Sequence, residues 1–149
     1  MIKDAGAKAG IAINPGTSFE TVKDLLHLCD YVMLMSVNPG FAGQKYLDFV
    51  TPKFKKFVDE AKNYGGYDVM IDGACSPEKI EMLSKMGVKG FILGTSALFG
   101  KIKVIKKLLM NCEDYKMKIG IGNDHVAVEY KKEIKKYIEE KYGYEVINY

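Results

Sequence analysis

The chain has 149 residues, a formal net charge of +3, 48% apolar and 28% charged residues, proportions of an ordinary globular domain and well short of the ~250 residues of a complete (β/α)8 barrel. No apolar run approaches the ~20 residues of a membrane span, and Met1-Ile2-Lys3-Asp4-Ala5-Gly6 lacks the apolar core of a signal peptide. Three cysteines (Cys29, Cys75, Cys112) without CxxC spacing suggest neither a disulfide framework nor a zinc site, so a reducing cytoplasm is the expected location.

Ala9 to Asn14 reads as a buried strand, turned by Pro15-Gly16. Thr17-Ser18-Phe19-Glu20 has capping-box spacing and opens a helix running to about His27. Tyr31 to Val37 is a nearly all-apolar strand, the pattern expected when both faces are covered. A long loop leads to a helix from about Pro52 to Tyr64, with Phe54, Phe57, Val58 and Ala61 along its apolar stripe. Tyr67 to Asp72 is the third strand. Ser76-Pro77 then supplies an N-cap and a proline at the first helical position. Ile80, Leu83 and Met86 mark that helix's inner face, and Gly87 ends it. Gly90 to Leu93 is the fourth strand, and Lys101 to Met110 a further helix. Strands alternating with helices predict βα units and a parallel sheet.

A polar seam at 111–116 separates residues 1–110 from a second unit, 117–149. Here Met117 to Gly122 reads as a strand, Val126 to Tyr142 as an amphipathic helix and Tyr144 to Tyr149 as a closing strand. The lysines at 101–107 and 131–136 fall on helical segments, the second group interleaved with glutamates, and read as solvated faces. Without a basic stripe carrying stacking aromatics, no nucleic-acid partner is expected; nor is a membrane partner.

Chemistry concentrates where loops follow strands. Gly40-Phe41-Ala42-Gly43 can turn successive N–H groups toward one anion, and Gly94-Thr95-Ser96 offers N–H groups and hydroxyls at a helix start. Each also reads as an ordinary turn; with Ile71-Asp72-Gly73-Ala74-Cys75 between them, three such loops in order favour phosphate. Asp72, at a strand tip rimmed by apolar residues, can ligate a divalent metal or move a proton on a sugar carbon, or can simply form an Asp-Gly turn. His27 is expected in a half-buried structural role. Cys75 has no histidine partner to make it a nucleophile. Asp124-His125 could meet a sugar or phosphate, or serve as an N-cap with a surface histidine.

Gly10-Ile11-Ala12-Ile13-Asn14-Pro15-Gly16-Thr17, Met35 to Gln44, Ile71-Asp72-Gly73 and Leu93-Gly94-Thr95-Ser96, in this order and spacing, resemble the C-terminal half of the ribulose-phosphate 3-epimerase family. Ala42, Ala74-Cys75 and the run Gly94 to Phe99 look closer to its D-allulose-6-phosphate 3-epimerase branch. Met117 to His125 and Gly143 to Tyr149 are similar to the start of the ribose-5-phosphate isomerase B family.

The first resemblance implies a partial (β/α)8 TIM barrel, about strands five to eight, with a divalent metal and two aspartates exchanging a proton at C3 of a ketose phosphate. Asp72 would be one of those aspartates and a metal ligand. Gly40, Phe41, Ala42, Gly43, Gly73, Ala74, Gly94 and Thr95 would line the substrate and phosphate site, with Met35 beside the sugar. The other aspartate and two histidine ligands belong to strands that precede this sequence, so Met1 is expected to correspond to an internal methionine of a longer protein. The second resemblance implies a Rossmann-like β-α-β start with Asp124 and His125 on the sugar phosphate. The expected function is sugar-phosphate 3-epimerisation, incomplete in this chain alone. Alternatives are an isomerase fragment or a non-catalytic half-barrel. Open sheet edges would allow a homo-oligomer.

Overall fold

The computed structural model describes residues 1–94 and 118–120, together with positions 132, 135, 136 and 140. The described chain builds one parallel sheet. Its strands are β1 (Gly10–Ile13), β2 (Tyr31–Met35), β3 (Asp68–Asp72), β4 (Gly90–Ile92) and β5 (Lys118–Gly120), in the spatial order β1-β2-β3-β4-β5. Every neighbouring pair is parallel, so all the strands end at one edge of the sheet. The helices between them are α1 (Phe19–Val22), α2 (Thr51–Glu60) and α3 (Pro77–Met86).

Helix ends follow local chemistry. At α3, the Ser76 hydroxyl accepts the Lys79 N–H at 3.3 Å, Pro77 takes the first turn, and the chain leaves through Gly87. The expected capping box of α1 does not form. Ser18 occupies the N-cap, but its hydroxyl pairs with Thr21 Oγ1 at 2.9 Å rather than with a backbone N–H. Helix α1 accordingly lasts one turn and tightens into a 3₁₀ segment over Lys23–Leu28. His27 lies there and is exposed, not half-buried as expected. Helix α2 likewise ends in a 3₁₀ segment, Ala61–Tyr64.

The core lies between the helices and one sheet face. Val32 and Leu34 of β2, Val69 and Ile71 of β3, and Phe91 of β4 pack with Phe19, Leu26, Phe54, Phe57, Ile80 and Leu83. The Phe57 ring meets Phe19 edge-on at 4.9 Å and Tyr67 at 6.5 Å, and the Tyr67 hydroxyl donates to the Phe57 carbonyl at 2.9 Å. Burying each such side chain stabilises the fold by roughly 1.5–3 kcal/mol before entropy is counted.

The expectation that β2 is covered on both faces is corrected. Val32 and Leu34 are buried, but Tyr31, Met33 and Met35 are only half-buried, because all the described helices contribute to the opposite side. On this open face small residues make room for large neighbours. A Cβ on Gly10 would collide with the Tyr31 ring, and one on Gly90 would come 2.6 Å from Met70 Cε.

β5 pairs with β4 through Lys118, Ile119 and Gly120, and so extends the same sheet. The expected helices at 101–110 and most of 126–142, the closing strand at 144–149 and the polar seam lie outside the described residues. Positions 132, 135, 136 and 140 are helical, with Lys136 and Glu140 3.8 Å apart one turn along.

Candidate functional site

Parallel pairing brings the strand ends together. Asp72, the last residue of β3, stands opposite Met35 on one side and Ile92 on the other. All three alternate with buried neighbours and therefore point to the open face, where each is half-buried. A carboxylate thus sits at the rim of an apolar surface, flanked by a thioether and a branched aliphatic side chain.

The two loops beside it are joined at their roots by Ser36. Its N–H donates to the Asp72 carbonyl at 2.9 Å, and its carbonyl accepts from the Leu47 N–H at 3.0 Å, closing the loop of residues 37–46. Ser36 itself is fully buried, and its hydroxyl has no partner. Gly73 packs against it: a Cβ there would lie 2.5 Å from Ser36 Oγ, and its φ of +119° is one that side-chain-bearing residues avoid.

The loop from Asn38 to Gly43 is exposed. Gln44 folds across it and donates Nε2 to the carbonyl oxygens of Asn38 (2.5 Å) and Phe41 (3.0 Å). Two carbonyl groups are thereby occupied, while among the described residues nothing accepts from the N–H groups of Gly40, Phe41, Ala42 and Gly43. Phe41 projects at the tip, 74% exposed.

Of the residues expected in the site, the structure brings Met35, Asp72, Gly73 and Ala74 together at the sheet's carboxyl edge, with Gly40, Phe41, Ala42 and Gly43 on the adjoining loop and Gly94 just beyond β4. Thr95, Asp124 and His125 lie outside the described residues. Cys75 is buried, and burial foremost, then the Asp72 charge, pushes its thiol up to about 12. It is a neutral packing group at ordinary pH.

The described residues do not by themselves make a metal centre: they contain no group of three or more histidine, cysteine or acidic side chains able to hold an ion. Asp72 supplies one carboxylate, whereas a hard divalent cation takes about six oxygen ligands. No helix among the described residues is long and apolar enough to cross a membrane.

Sequence patterns did not expose the roles of Ser36, Tyr46 and Lys79. Ser36 lies within the Met35 to Gln44 motif, but its position between two loops appears only when β2 and β3 pair. Lys79 was legible only as a helix residue, yet its ammonium lies 4.0 Å from the Tyr46 ring centroid and 2.7 Å from Asp48 Oδ1.

Comparison with known proteins bears on this arrangement. Residues 1–99 match the model of the ribulose-phosphate 3 epimerase family. The chain is 36% identical to the ribulose-phosphate 3-epimerase of Aquifex aeolicus over 101 residues, covering 67% of this chain and 45% of that protein. It is 36% identical to the enzyme of that name from Bacillus subtilis over 103 residues, 68% of this chain and 47% of the relative. With the one from Helicobacter pylori J99 it shares 40% identity over 96 residues, 64% and 44% of the two chains. The chain therefore spans about half the length of the curated relatives it matches.

Proposed function

Because the chain belongs to the ribulose-phosphate 3-epimerase family, we propose that its residues 1–99 form one side of the site of a sugar-phosphate 3-epimerase. The observation that carries this reading is the position of Asp72: a carboxylate at the carboxyl edge of the sheet, beside a glycine loop whose N–H groups meet no acceptor among the described residues. Asp72 would remove or return the C3 proton of a phosphorylated ketose. Gly40 to Gly43, with Gly94 and Thr95, would hold the phosphate, while Met35 would pack against the sugar. Gly73 and Ala74 would line the substrate and phosphate site with them.

Epimerisation inverts C3. The base takes the proton from one face, the electrons delocalise into the neighbouring carbonyl to give an enediolate, and an acid returns a proton on the other face. A single carboxylate approaches from one side only. Asp72 alone could therefore take and return a proton on the same face without inversion. Inversion would need a second acid–base group on the other face and further metal ligands, which the described residues do not supply.

The relatives' names support a ribulose phosphate as substrate; Ala42 and Ala74 favour allulose 6-phosphate. Residues 117–149 read as the opening of a ribose-5-phosphate isomerase B-like domain on their motifs, with Asp124 and His125 toward the sugar phosphate. The buried free thiols Cys29 and Cys75 suit a reducing cytoplasm.

The test is incubation of the 149-residue chain in D₂O with each ketose phosphate. Incorporation of deuterium at C3 without the epimer, lost in Asp72→Asn by at least the ~100-fold typical of an acid–base group, is the expected result. Epimer formed by the chain alone would overturn the one-sided site, and exchange unaffected by Asp72→Asn would remove Asp72 from the chemistry.

A further inference from the structure

The glycine loop has an anchor besides Ser36. Lys79 lies in the first turn of α3, directly after the loop that carries Gly73 and Ala74, and its N–H is fixed by Ser76. From there its side chain reaches back over the Tyr46 ring, 4.0 Å from the centroid, and to Asp48 at 2.7 Å. Tyr46 is itself held. Its hydroxyl pairs with Thr51 Oγ1 at 3.0 Å at the start of α2, and the next residue, Leu47, closes the loop on Ser36.

The two contacts of Lys79 are unequal. The Asp48 side chain is 86% exposed while that of Lys79 is 28% exposed, and a water-screened ion pair of that kind shifts an equilibrium by less than about fivefold. Tyr46 is half-buried, so the ammonium–ring contact is partly shielded from water, where such contacts reach about three- to tenfold or more.

We propose that Lys79 is a positioning residue for anion binding. Through the Tyr46 ring it clamps the foot of the glycine loop to α3 and holds the N–H groups of Gly40 to Gly43 in place beside Asp72. The proposal rests on the reading of that loop as the phosphate-binding turn. It assigns the effect to the ring contact rather than to attraction of the phosphate by the Lys79 charge.

The experiment uses the isotopically labelled 149-residue chain, inorganic phosphate as probe, and amide shifts and hydrogen exchange of Gly40 to Gly43 as readouts. Lys79→Met and Tyr46→Leu should each weaken phosphate binding about three- to tenfold and speed loop exchange. The double variant should be no worse than either, and Lys79→Arg should restore both readouts. Tyr46→Leu keeps the charge but loses the Thr51 bond along with the ring, so Tyr46→Phe, which keeps the ring and loses only that bond, should bind as the parent does; equal weakening in Tyr46→Phe would overturn the clamp. If only Lys79→Met weakens binding, the clamp is wrong and simple charge attraction explains the result. If the parent chain binds phosphate and both variants match it, the proposal alone fails. If the parent chain binds none, the phosphate reading fails with it. Should Lys79→Met not fold, Tyr46→Leu measured against Tyr46→Phe carries the same decision.

Discussion

The two faces of the sheet are made by the same strands and have opposite fates. Val32, Leu34, Val69, Ile71 and Phe91 are sealed against the helices, whereas Met33, Met35, Met70, Asp72 and Ile92 alternate with them and are only half-buried. Strand period explains the division, since neighbouring residues point to opposite sides. The open face is not a polar surface, however. It carries three methionines at β2 and β3, and its two carboxylates, Asp68 and Asp72, stand at opposite ends of β3. Parallel sheets are ordinarily covered on both sides, so stability should reside on the closed face and substrate chemistry at the edge of the open one.

The strongest way to break this comparison is at Phe57, buried and in edge contact with two aromatic rings. Phe57→Ala should cost about 3–5 kcal/mol in urea unfolding, enough to unfold many domains of this size. A loss below ~1 kcal/mol would mean that the helix-covered face is not the chief source of stability.

Next in size is the joint between the faces. Gly73→Ala places a Cβ 2.5 Å from Ser36 Oγ at φ +119°, and the strain should destabilise by about 1–3 kcal/mol. Because Ser36 also binds the Asp72 carbonyl, C3 exchange should fall together with the melting temperature. Exchange preserved in a folded Gly73→Ala chain would show that Asp72 tolerates movement of its loop.

How far the sequence foretold these regions depends on range. The closed face was legible because Phe54, Phe57, Ile80 and Leu83 recur at helical spacing and because Ser76-Pro77 and Gly87 punctuate α3. The position of the rim was legible through local motifs: Gly40 to Gly43 and Asp72-Gly73 lie where β2 and β3 give way to loops, as their adjacent residues predict. Helix α1 was overestimated because a serine near a helix start has competing local partners, and Ser18 takes Thr21 Oγ1. That the described helices all pack on one face of β2 could not be read, since an apolar strand shows how much can be buried and not what will cover it. The Tyr46–Lys79 contact and the β4–β5 pairing join residues far apart in sequence, where no periodicity reports.

A smaller, conditional effect should sharpen the closed face. Burial foremost raises Cys75 from 9.0 and Tyr67 from 10.0, each to about 12. Between those values the unfolded chain has released protons that the folded chain keeps. Stability contributed by the neutral groups is therefore full below about pH 9 and declines as pH rises toward 12. Urea midpoints measured from pH 8 to 10.5 should fall, and Tyr67→Phe should flatten the upper part of the decline. A flat profile in the parent chain would show that neither group is as shielded as the packing implies.

The smallest expected effect tests the open face. Met33→Ala should cost below ~1 kcal/mol, because the 2–5 kcal/mol typical of a core methionine requires full burial and Met33 is only half-buried. Its value lies in the contrast with Phe57. If the cost instead reaches the core range, something covers the methionines in solution. Dilution then separates the causes: a second copy would make the cost depend on protein concentration, whereas cover from within the same chain would not. A small, concentration-independent cost would leave the open face as an apolar surface able to accept sugar or further βα units without first displacing a packed neighbour.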